Sequence, residues 1–374
     1  MAADSGGRYE HVVLEPYIHQ VGGRSSMLCL DEHTLCKPLI PQELTFYETL
    51  PDILKPFTSQ YKGVVEVALS EDADGYLTLT AHSSYEHLKN GCASSHSIKS
   101  TDSLARACKY RMRWQKAGSV EIEPVLKEGA QLFEDEDGKP DALTTHNPWI
   151  VRCHNLQVQK FLSSSGNPKE FILLENLTAC YAFPCILDLK MGTRQHPDDA
   201  TEEKRKSLEA KVASTTSSTL GLRVAGMQVY QQNLGYYKCH NRYFGRSLNV
   251  DGFRQTLYHF LHDGVCFRSD VLAPLLEKLR ALYKAVEELD GFRFYTSSLL
   301  ILYEGQVPDG NSNDKCNSDS REWNVRRRTA CVNVRMIDFA HTVYSPKNDG
   351  PDNGYLFGLR SLMDQLHVLK ADNC

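Results

Sequence analysis

The chain has 374 residues, 41% of them hydrophobic, and its 42 Lys and Arg against 47 Asp and Glu give a formal net charge of -5. Since one hydrophobic core rarely organises more than about 250–300 residues, this length predicts two domains. The mildly acidic balance argues against a general nucleic-acid binder, and the absence of an apolar run of roughly 20 residues argues against insertion into a membrane. The 12 cysteines lack the paired spacing of a zinc site, and the composition is typical of a soluble enzyme.

The N-terminal residues are predicted to form a hairpin. Strands over 10–18 and 26–35 flank Gly22 and Gly23, a pair typical of tight turns. A hairpin of this kind can cover nucleotide phosphates, although a Gly-Gly pair alone often marks only a turn. Lys37 lies at the end of the strand that follows.

A short helix over 41–50 presents Glu43, and strands over 61–69 and 75–81 come next. A glycine hairpin, a strand lysine and a helix glutamate are the parts of a kinase-like N-terminal lobe, in which Glu43 would hold Lys37. Taken alone, Lys37 also fits an ordinary lysine at the edge of a sheet.

The regular pattern is lost over about 83–147, where Ser, Gly, Lys, Asp and His mix with little periodicity. We interpret this segment as a poorly ordered insert in the N-terminal domain, with a basic helix over 104–114. Its cluster of basic residues is a candidate surface for a protein partner, but also fits a solvated segment: Lys109, Arg111, Arg113 and Lys116.

Structure is predicted to resume at 149–161 and to continue into a buried strand over 171–174. Glu175, Asn176 and Leu177 follow, where the two domains should join. Adenine requires little more than a backbone donor and acceptor in an apolar slot, and a hinge between domains supplies both. A simple exit from strand to loop is the alternative.

The segment 184–192 is the most informative part of the chain. A hydrophobic run delivers Asp188 and Lys190 two positions apart and then stops at Gly192. In a strand, residues two apart point to the same side, so the carboxylate and the ammonium would face one cavity. This spacing suits phosphoryl transfer, although an ion pair that closes a strand has the same spacing.

The next elements are predicted as helices over 201–218, a strand over 222–231 and a core helix over 271–290. Two strands follow, over 292–303 and 330–339, and a polar loop over 305–328 separates them. Ser297 and Ser298 lie on the first of these last two strands, and the second ends at Asp338. Basic residues gather between 190 and 246, which is where an anion should bind. Lys204 and Lys211 share one face of a helix and could grip separate phosphates.

Several motifs resemble the inositol polyphosphate kinase family, and most of all its hexakisphosphate kinase branch. They are Pro184-x3-Asp188-x-Lys190-x-Gly192, Thr193-Arg194-Gln195-His196, Thr219-Leu220-Gly221-Leu222-Arg223-Val224, Ser297-Ser298-Leu299-Leu300 and Ile337-Asp338-Phe339-Ala340-His341. They occur in the family's order, and the resemblance spans roughly 14–362.

The resemblance implies a two-lobed α+β kinase fold, related to ATP-grasp proteins, with antiparallel sheets and an added helical segment that binds substrate. Residues 1–177 would form the ATP-binding lobe and 178–374 the catalytic lobe that binds the inositol phosphate. The implied reaction transfers the γ-phosphate of ATP to inositol hexakisphosphate, at the 5-position, with Mg²⁺ as cofactor. The implied location is cytoplasmic and nuclear.

The resemblance also implies a role for each site residue. Lys37 contacts the ATP phosphates, the Glu175 carbonyl and the Leu177 amide hold adenine, and Asp338 with Ser297 or Ser298 holds the metal. Asp188 either contacts the ATP ribose or orients the acceptor. The acceptor would bind to a set of basic side chains: Lys190, Arg194, Lys204, Lys211, Arg223 and His341.

Two alternatives stay open. The chain could be an inositol polyphosphate multikinase or a trisphosphate 3-kinase, which phosphorylate a hydroxyl group. It could also be a scaffold without catalysis that binds inositol phosphates or proteins through the insert. The intact set Lys37, Asp188, Lys190, Ser298 and Asp338 argues against the scaffold.

Overall fold

A computed structural model of the chain describes residues 9–84, 109–115, 118–125, 129–134, 143–164, 167–306, 331–347 and 349–373. Most of the predicted polar loop over 305–328 lies outside these ranges. The described residues form helices and mostly antiparallel sheets, so the predicted α+β class is confirmed. In this part of the chain, each helix is too short or too polar to cross a lipid bilayer.

Contacts between residues divide the chain into two compact units. Unit 1 comprises Met1–Ile40, Gln60–Gln131 and Thr144–Leu177, and unit 2 comprises Pro41–Ser59, Leu132–Leu143 and Thr178–Cys374. The predicted boundary also falls after Leu177, but the prediction includes 41–59 and 132–143 in the N-terminal lobe. The structure places both segments in unit 2. Phe46, for example, stacks on Phe339 with ring centroids 4.1 Å apart.

Unit 1 is built on an antiparallel sheet that closes on itself. Its strands are β1 (Tyr9–Pro16), β2 (Leu28–Asp31), β3 (Thr34–Pro38), β4 (Tyr61–Glu71), β5 (Tyr76–Ser84), β6 (Tyr110–Trp114), β7 (Val120–Pro124) and β10 (Lys169–Glu175). They pair in the order β1-β2-β3-β10-β4-β5-β6-β7, and β5 also pairs with β1. Alternate residues such as Val65, Val67, Leu77 and Leu79 are buried, as expected for strands with one face toward a core.

Two predictions for unit 1 are wrong. The strand expected over 26–35 is two strands, because the backbone amide of His33 donates to Oδ1 of Asp31 at 2.8 Å and the chain turns there. The basic helix expected over 104–114 is a strand where it is described, since Tyr110–Trp114 pairs with Val120–Pro124. Met112, Val120 and Ile122 are buried on one side of that hairpin, so these residues of the predicted poorly ordered insert are folded.

Unit 2 is built on a seven-stranded sheet. Its strands are β8 (Phe133–Glu134), β9 (Leu143–Thr144), β11 (Pro184–Met191), β12 (Leu222–Gln231), β13 (Tyr236–His240), β15 (Ser298–Glu304) and β16 (Val332–Ile337), in the order β16-β15-β11-β12-β13-β8-β9. β14 (Phe292–Phe294) pairs separately with β17 (Thr342–Tyr344). The strand predicted over 292–303 is therefore broken in two, and the amide of Ser297 closes the turn on the carbonyl of Phe294 at 3.2 Å.

Eight α-helices complete the described residues, together with a 3-10 helix over Asp52–Phe57. They are α1 (Pro41–Glu48), α2 (Trp149–Ser163), α3 (Glu202–Ala213), α4 (Ser217–Leu220), α5 (Arg242–Ser247), α6 (Val250–Phe260), α7 (Ser269–Glu287) and α8 (Asn353–Asn373). The helix α7 buries leucines at helical spacing, including Leu272, Leu275, Leu276 and Leu279. This confirms its predicted place in the core.

Candidate active site

The strand β11 lies in the interior of the unit 2 sheet, between β15 and β12, and carries Asp188 and Lys190. Leu187, Leu189 and Met191 are fully buried on one face. Asp188 and Lys190 lie on the other face, as the spacing predicts. Antiparallel partners that lie directly opposite share a face. Lys190 lies opposite Arg223 of β12 and opposite Ser298 of β15.

A β-bulge brings Arg223 to this face. Asp188 pairs with Gly226 but Leu189 pairs with Val224, so β12 carries one extra residue at this point. In a regular ladder, Ala225 would pair with Leu189 and Val224 would lie opposite Lys190, so Arg223 would point to the other side of the sheet. Nothing in the sequence motif indicates this bulge.

Asp188 is a buried carboxylate. Its side chain is only 4% exposed, and within the described residues its Oδ1 atom has no hydrogen-bond partner. Burial raises its pKa to about 6, while the charge of Lys190 acts in the opposite direction and that of Asp338 adds to the rise. An anionic group held in this way is available to a ligand.

Lys190 is held by two residues with unusual backbone conformations. Its Nζ atom lies 3.5 Å from Oδ2 of Asp338 and donates to the carbonyl oxygen of Thr296. Thr296 (φ 56°) and Asp338 (φ 65°) are the two non-glycine residues of the described chain that have positive φ. Such conformations cost about 1–3 kcal/mol each and cluster at functional sites.

The position of Asp338 is fixed by the residue that follows it. The Phe339 amide donates to Oε1 of Glu43 at 3.0 Å, and the Phe339 ring is fully buried against Phe46. The helix α1 therefore supports Asp338 from within unit 2. Glu43, predicted only as a partner for Lys37, therefore has a second role that its sequence context does not indicate.

The two candidate serines have different surroundings. Ser297 Oγ donates to the carbonyl of Phe294 at 3.0 Å and so supports the turn before β15. Ser298 Oγ is buried and makes no hydrogen bond of good geometry in the described residues, but it lies close enough to Asp188 to lower the pKa of that carboxyl. Ser298 is therefore the better candidate for a ligand contact.

The donor set suits a divalent cation. Asp338, Asp188 and Ser298 offer hard oxygen atoms, and in the described residues Asp188 Oδ1 and Ser298 Oγ are buried without a well-formed hydrogen bond. In the described part of the chain, no three His, Cys, Asp or Glu side chains group closely enough to hold a metal by themselves. Magnesium commonly takes only one or two carboxylates together with phosphate oxygens and water.

The loop after Gly192 is tied to itself. Gln195 is buried, and its Nε2 atom donates to the carbonyls of Met191 (2.6 Å) and Gly192 (3.1 Å). Arg194 donates to the carbonyl of His196 at 3.0 Å and lies over the Tyr295 ring at 4.9 Å. Arg194, predicted to contact substrate, therefore also orders its own loop, and the structural role of Gln195 is not evident from the sequence.

The helix α3 is predicted to bind substrate and buries no residue. Thr201 caps it by accepting a hydrogen bond from the Lys204 amide, and Nε2 of His196 lies 3.3 Å from Oε1 of Glu209. Its attachment is thus polar rather than hydrophobic.

His341 lies near two of the lysines predicted to bind the acceptor. Burial lowers its pKa, and the nearby charges of Lys204 and Lys190 lower it further. Lys190, Lys204 and His341 therefore share one region. Lys211 lies two turns further along α3, about 10 Å from Lys204 along the helix axis, and so outside this group.

The helix α8 supports two loops of the site through glycines. A Cβ atom at Gly358 would lie 2.6 Å from the Gly221 carbonyl oxygen, and one at Gly354 would lie 2.9 Å from Thr193 Oγ1. The same Gly221 carbonyl accepts a hydrogen bond from the Gly192 amide at 2.8 Å. Close backbone packing thus joins the loop that follows Lys190 to the loop that precedes Arg223.

The remaining predicted residues lie in unit 1. Lys37 lies on β3 opposite Ile172 of β10, and Leu177 is buried. Glu175 ends β10, where its Oε2 atom accepts from the Gln60 amide at 3.1 Å. The glycine turn is ordered by a residue that the sequence analysis overlooks: Gln20 accepts from the Met27 amide at 2.9 Å and donates to the carbonyls of Gly22 and Ser25.

Comparisons with known proteins agree with these observations. The family model described as inositol polyphosphate kinase matches residues 171–367. Human inositol hexakisphosphate kinase 1 is 38% identical over 421 residues, which cover 97% of this chain and 95% of that protein. The chain belongs to the inositol polyphosphate kinase family. The predicted family and the predicted enzyme class, an inositol phosphate kinase, are confirmed.

Other members of the family are similar. Human inositol hexakisphosphate kinase 3 is 40% identical over 396 residues, with 97% of this chain and 96% of that protein covered. A solved inositol phosphate multikinase from S. cerevisiae, in complex with ADP and Mn²⁺, is 23% identical with a TM-score of 0.45 over 54% of this chain and 84% of that one. In the present chain, the match to the family model begins in β10 and ends in α8. It includes Asp188, Lys190 and Asp338 but not Lys37.

Proposed function

We propose that the protein is an inositol hexakisphosphate kinase that transfers the γ-phosphate of ATP to a phosphate of inositol hexakisphosphate, at the 5-position by family resemblance. The product is diphosphoinositol pentakisphosphate. The proposal rests on the convergence of Lys190, Asp188 and Asp338. The chain is also 38–40% identical to human hexakisphosphate kinases over nearly its whole length.

Residues of unit 1 bind the nucleotide. Lys37 contacts the phosphates, and the Glu175 carbonyl and the Leu177 amide pair with adenine. Asp338 and Ser298 would hold Mg²⁺, which would supply positive charge to offset that of the phosphates. Asp188 contacts the ribose or orients the acceptor, and its unpaired Oδ1 atom suits either role.

The acceptor is already an anion, so the reaction requires no strong general base. An oxygen of the acceptor phosphate attacks the γ-phosphorus, the bond from that phosphorus to the bridging oxygen breaks, and ADP leaves with the electron pair. The main obstacle is repulsion between the two phosphates. Lys190 reduces it, and its effect is larger in a partly buried site than in bulk water.

The acceptor binds to the cations on the same side of the sheet. Lys190, Lys204 and His341 lie close together, and Arg223 lies opposite Lys190. Arg194 and Lys211 are outer contacts, since Arg194 is engaged in its own loop and Lys211 lies two turns beyond Lys204.

Phosphate transfer from labelled ATP, with Mg²⁺, to inositol hexakisphosphate and to inositol trisphosphate in parallel tests this proposal. We expect the wild-type protein to convert the hexakisphosphate to a more acidic product. The variant Asp338→Asn should form little of that product. Transfer to the trisphosphate alone would assign the protein to the hydroxyl kinases. No transfer to either, with binding retained, would favour the scaffold.

Other expectations stay predictions. They are the 5-position, the cytoplasmic and nuclear location, the lack of nucleic-acid binding and a protein partner at the insert over 83–147.

A further inference from the structure

The helix α5 is locked onto β12 by a glycine. A Cβ atom at Gly245 would lie 2.0 Å from the carbonyl oxygen of Val224 and 2.9 Å from its Cβ atom. No other residue permits this approach without a shift of the backbone. Arg223 precedes Val224 and Arg246 follows Gly245, so α5 and β12 are joined next to both arginines.

The two positive charges act on each other. Burial lowers the pKa of Arg223 to about 10, and the charge of Arg246 is the next largest cause. Asp188 opposes this shift, but Asp188 is shared with Lys190. Two neighbouring guanidinium groups repel, and an anion bound between them relieves the repulsion.

The side chain of Arg246 is also ordered. Its guanidinium lies 5.7 Å from the centroid of the Tyr243 ring, and Arg242 lies 5.3 Å from the same centroid. A cation held over an aromatic ring has less freedom to lose when it binds an anion.

The sheet order sets where this pair lies. Arg223 is on β12, on one side of Lys190, whereas Asp338 follows β16, on the other side of β11 and β15. The arginine pair is therefore separated from the metal-binding carboxylate by the residue assigned to the reacting phosphates. A phosphate that is not transferred would reach the pair.

We propose that Arg246 is a substrate-positioning residue that acts with Arg223 to bind a non-reacting phosphate of a highly phosphorylated inositol. The inference rests on the proposed function, which it deepens by adding a residue that senses the number of acceptor phosphates. An acceptor without a phosphate at that place gains nothing from Arg246.

The test compares Arg246→Gln with the wild-type protein. We expect KM for inositol hexakisphosphate and Kd for the same compound, measured by calorimetry without ATP, to rise about 10-fold or more. The kcat and the KM for ATP should stay within about 2-fold. Arg246→Lys should show a smaller loss, because lysine keeps the charge but lacks the two-pronged contact.

The matched control is Arg280→Gln, which removes one positive charge from α7, where Arg280 contacts His367 at 3.2 Å. It should leave both constants unchanged. If Arg246→Gln does not fold, Arg246→Lys decides alone. Wild-type affinity in the Arg246 variants, or an equal loss in Arg280→Gln, would overturn the inference.

The two proposals can fail separately. If the wild-type protein binds inositol hexakisphosphate but does not phosphorylate it, the proposed function fails, while a weaker Kd for Arg246→Gln still supports the arginine pair. If the wild-type protein does not bind the compound, both fail.

Discussion

Lys190 and Asp338 lie 148 positions apart in the chain, yet Nζ of Lys190 is 3.5 Å from Oδ2 of Asp338. The contact joins the central strand β11 to the residue that follows β16. Both side chains are only partly exposed, at 18% and 31%. A cation and the carboxylate that we propose as a metal ligand thus lie next to each other.

We predict that Lys190→Ala lowers kcat by about 100-fold or more, because it removes the positive charge nearest the reacting phosphates. The melting temperature should change little, since the side chain is at the edge of the buried region. Steady-state assays and a thermal melt measure both. Activity within 10-fold of wild type would show that Lys190 does not stabilise the transition state.

For Asp338 the choice of substitution matters. Asparagine tolerates positive φ, whereas alanine at φ 65° adds strain of about 1 kcal/mol. We expect Asp338→Asn to lose transfer by about 100-fold while its stability is retained, and Asp338→Ala to lose both transfer and stability. Equal stability of the two variants would mean that the backbone is not strained there.

The raised pKa of Asp188 leads us to predict an unusual dependence of the free energy of unfolding on pH. Its pKa is about 6 in the folded chain and near 3.8 otherwise, so between these values the folded state binds a proton that the unfolded state has released. Stability should therefore fall as pH rises from about 4 to about 6 and stay lower above that. Asp188→Asn should remove this slope and raise the free energy of unfolding at pH 8 by about 1–3 kcal/mol.

The same variant should lose most of its activity, because a ligand contact requires the charge. Denaturant unfolding at pH 4.5 and pH 8, without nucleotide or divalent ions, measures the stability. A less stable Asp188→Asn protein at pH 8 would contradict the costly burial of this carboxylate.

Amide hydrogen exchange should distinguish α3 from the core helices. A helix of 12 residues that buries none of them is marginal without tertiary packing. We expect α3 to exchange fast in the free protein and at least 10-fold more slowly with inositol hexakisphosphate, while α7 stays slow throughout. Slow exchange of α3 without ligand would show that its cap and ion pairs suffice.

Gly358→Ala should weaken both loops of the site. The added methyl group would lie 2.6 Å from the Gly221 carbonyl and 2.9 Å from Met191 Cε, and overpacking of this kind costs about 1–3 kcal/mol. Unfolding and KM for the acceptor should both change. Gly252→Ala in α6, whose methyl would meet side-chain atoms at 3.2 Å or more, is the control with a smaller expected effect.

The sequence was sufficient for the elements and motifs whose information is local. Alternation predicts that Asp188 and Lys190 share a face, and helical spacing predicts the buried leucines of α7. The helix predicted over 104–114 is wrong although a local signal exists, because Tyr110, Met112 and Trp114 alternate with Arg111 and Arg113 at the strand period, and this strand pairs with Val120–Pro124 across a short hairpin.

The supporting residues of the site could not be predicted, because their contacts join distant parts of the chain. Glu43 and Phe339 meet over 296 positions, and the glycines of α8 approach loops more than 130 residues away. Such contacts leave no motif in a single sequence. The positive φ of Asp338 likewise depends on its neighbours and not on its own residue type, since aspartate takes many conformations.

The pairing of β12 is a functional property of the enzyme, because the bulge at Ala225 decides which side chain accompanies Lys190. A regular ladder that paired Ala225 with Leu189 would place Val224, and not Arg223, on the face of Lys190 without any change in the motif itself. Loss of Ala225 would instead remove the bulge and leave Arg223 opposite Lys190. An alignment of such kinases should therefore match this strand by its pairing with β11 as well as by its amino-acid sequence. The same holds for any redesign of the choice of acceptor.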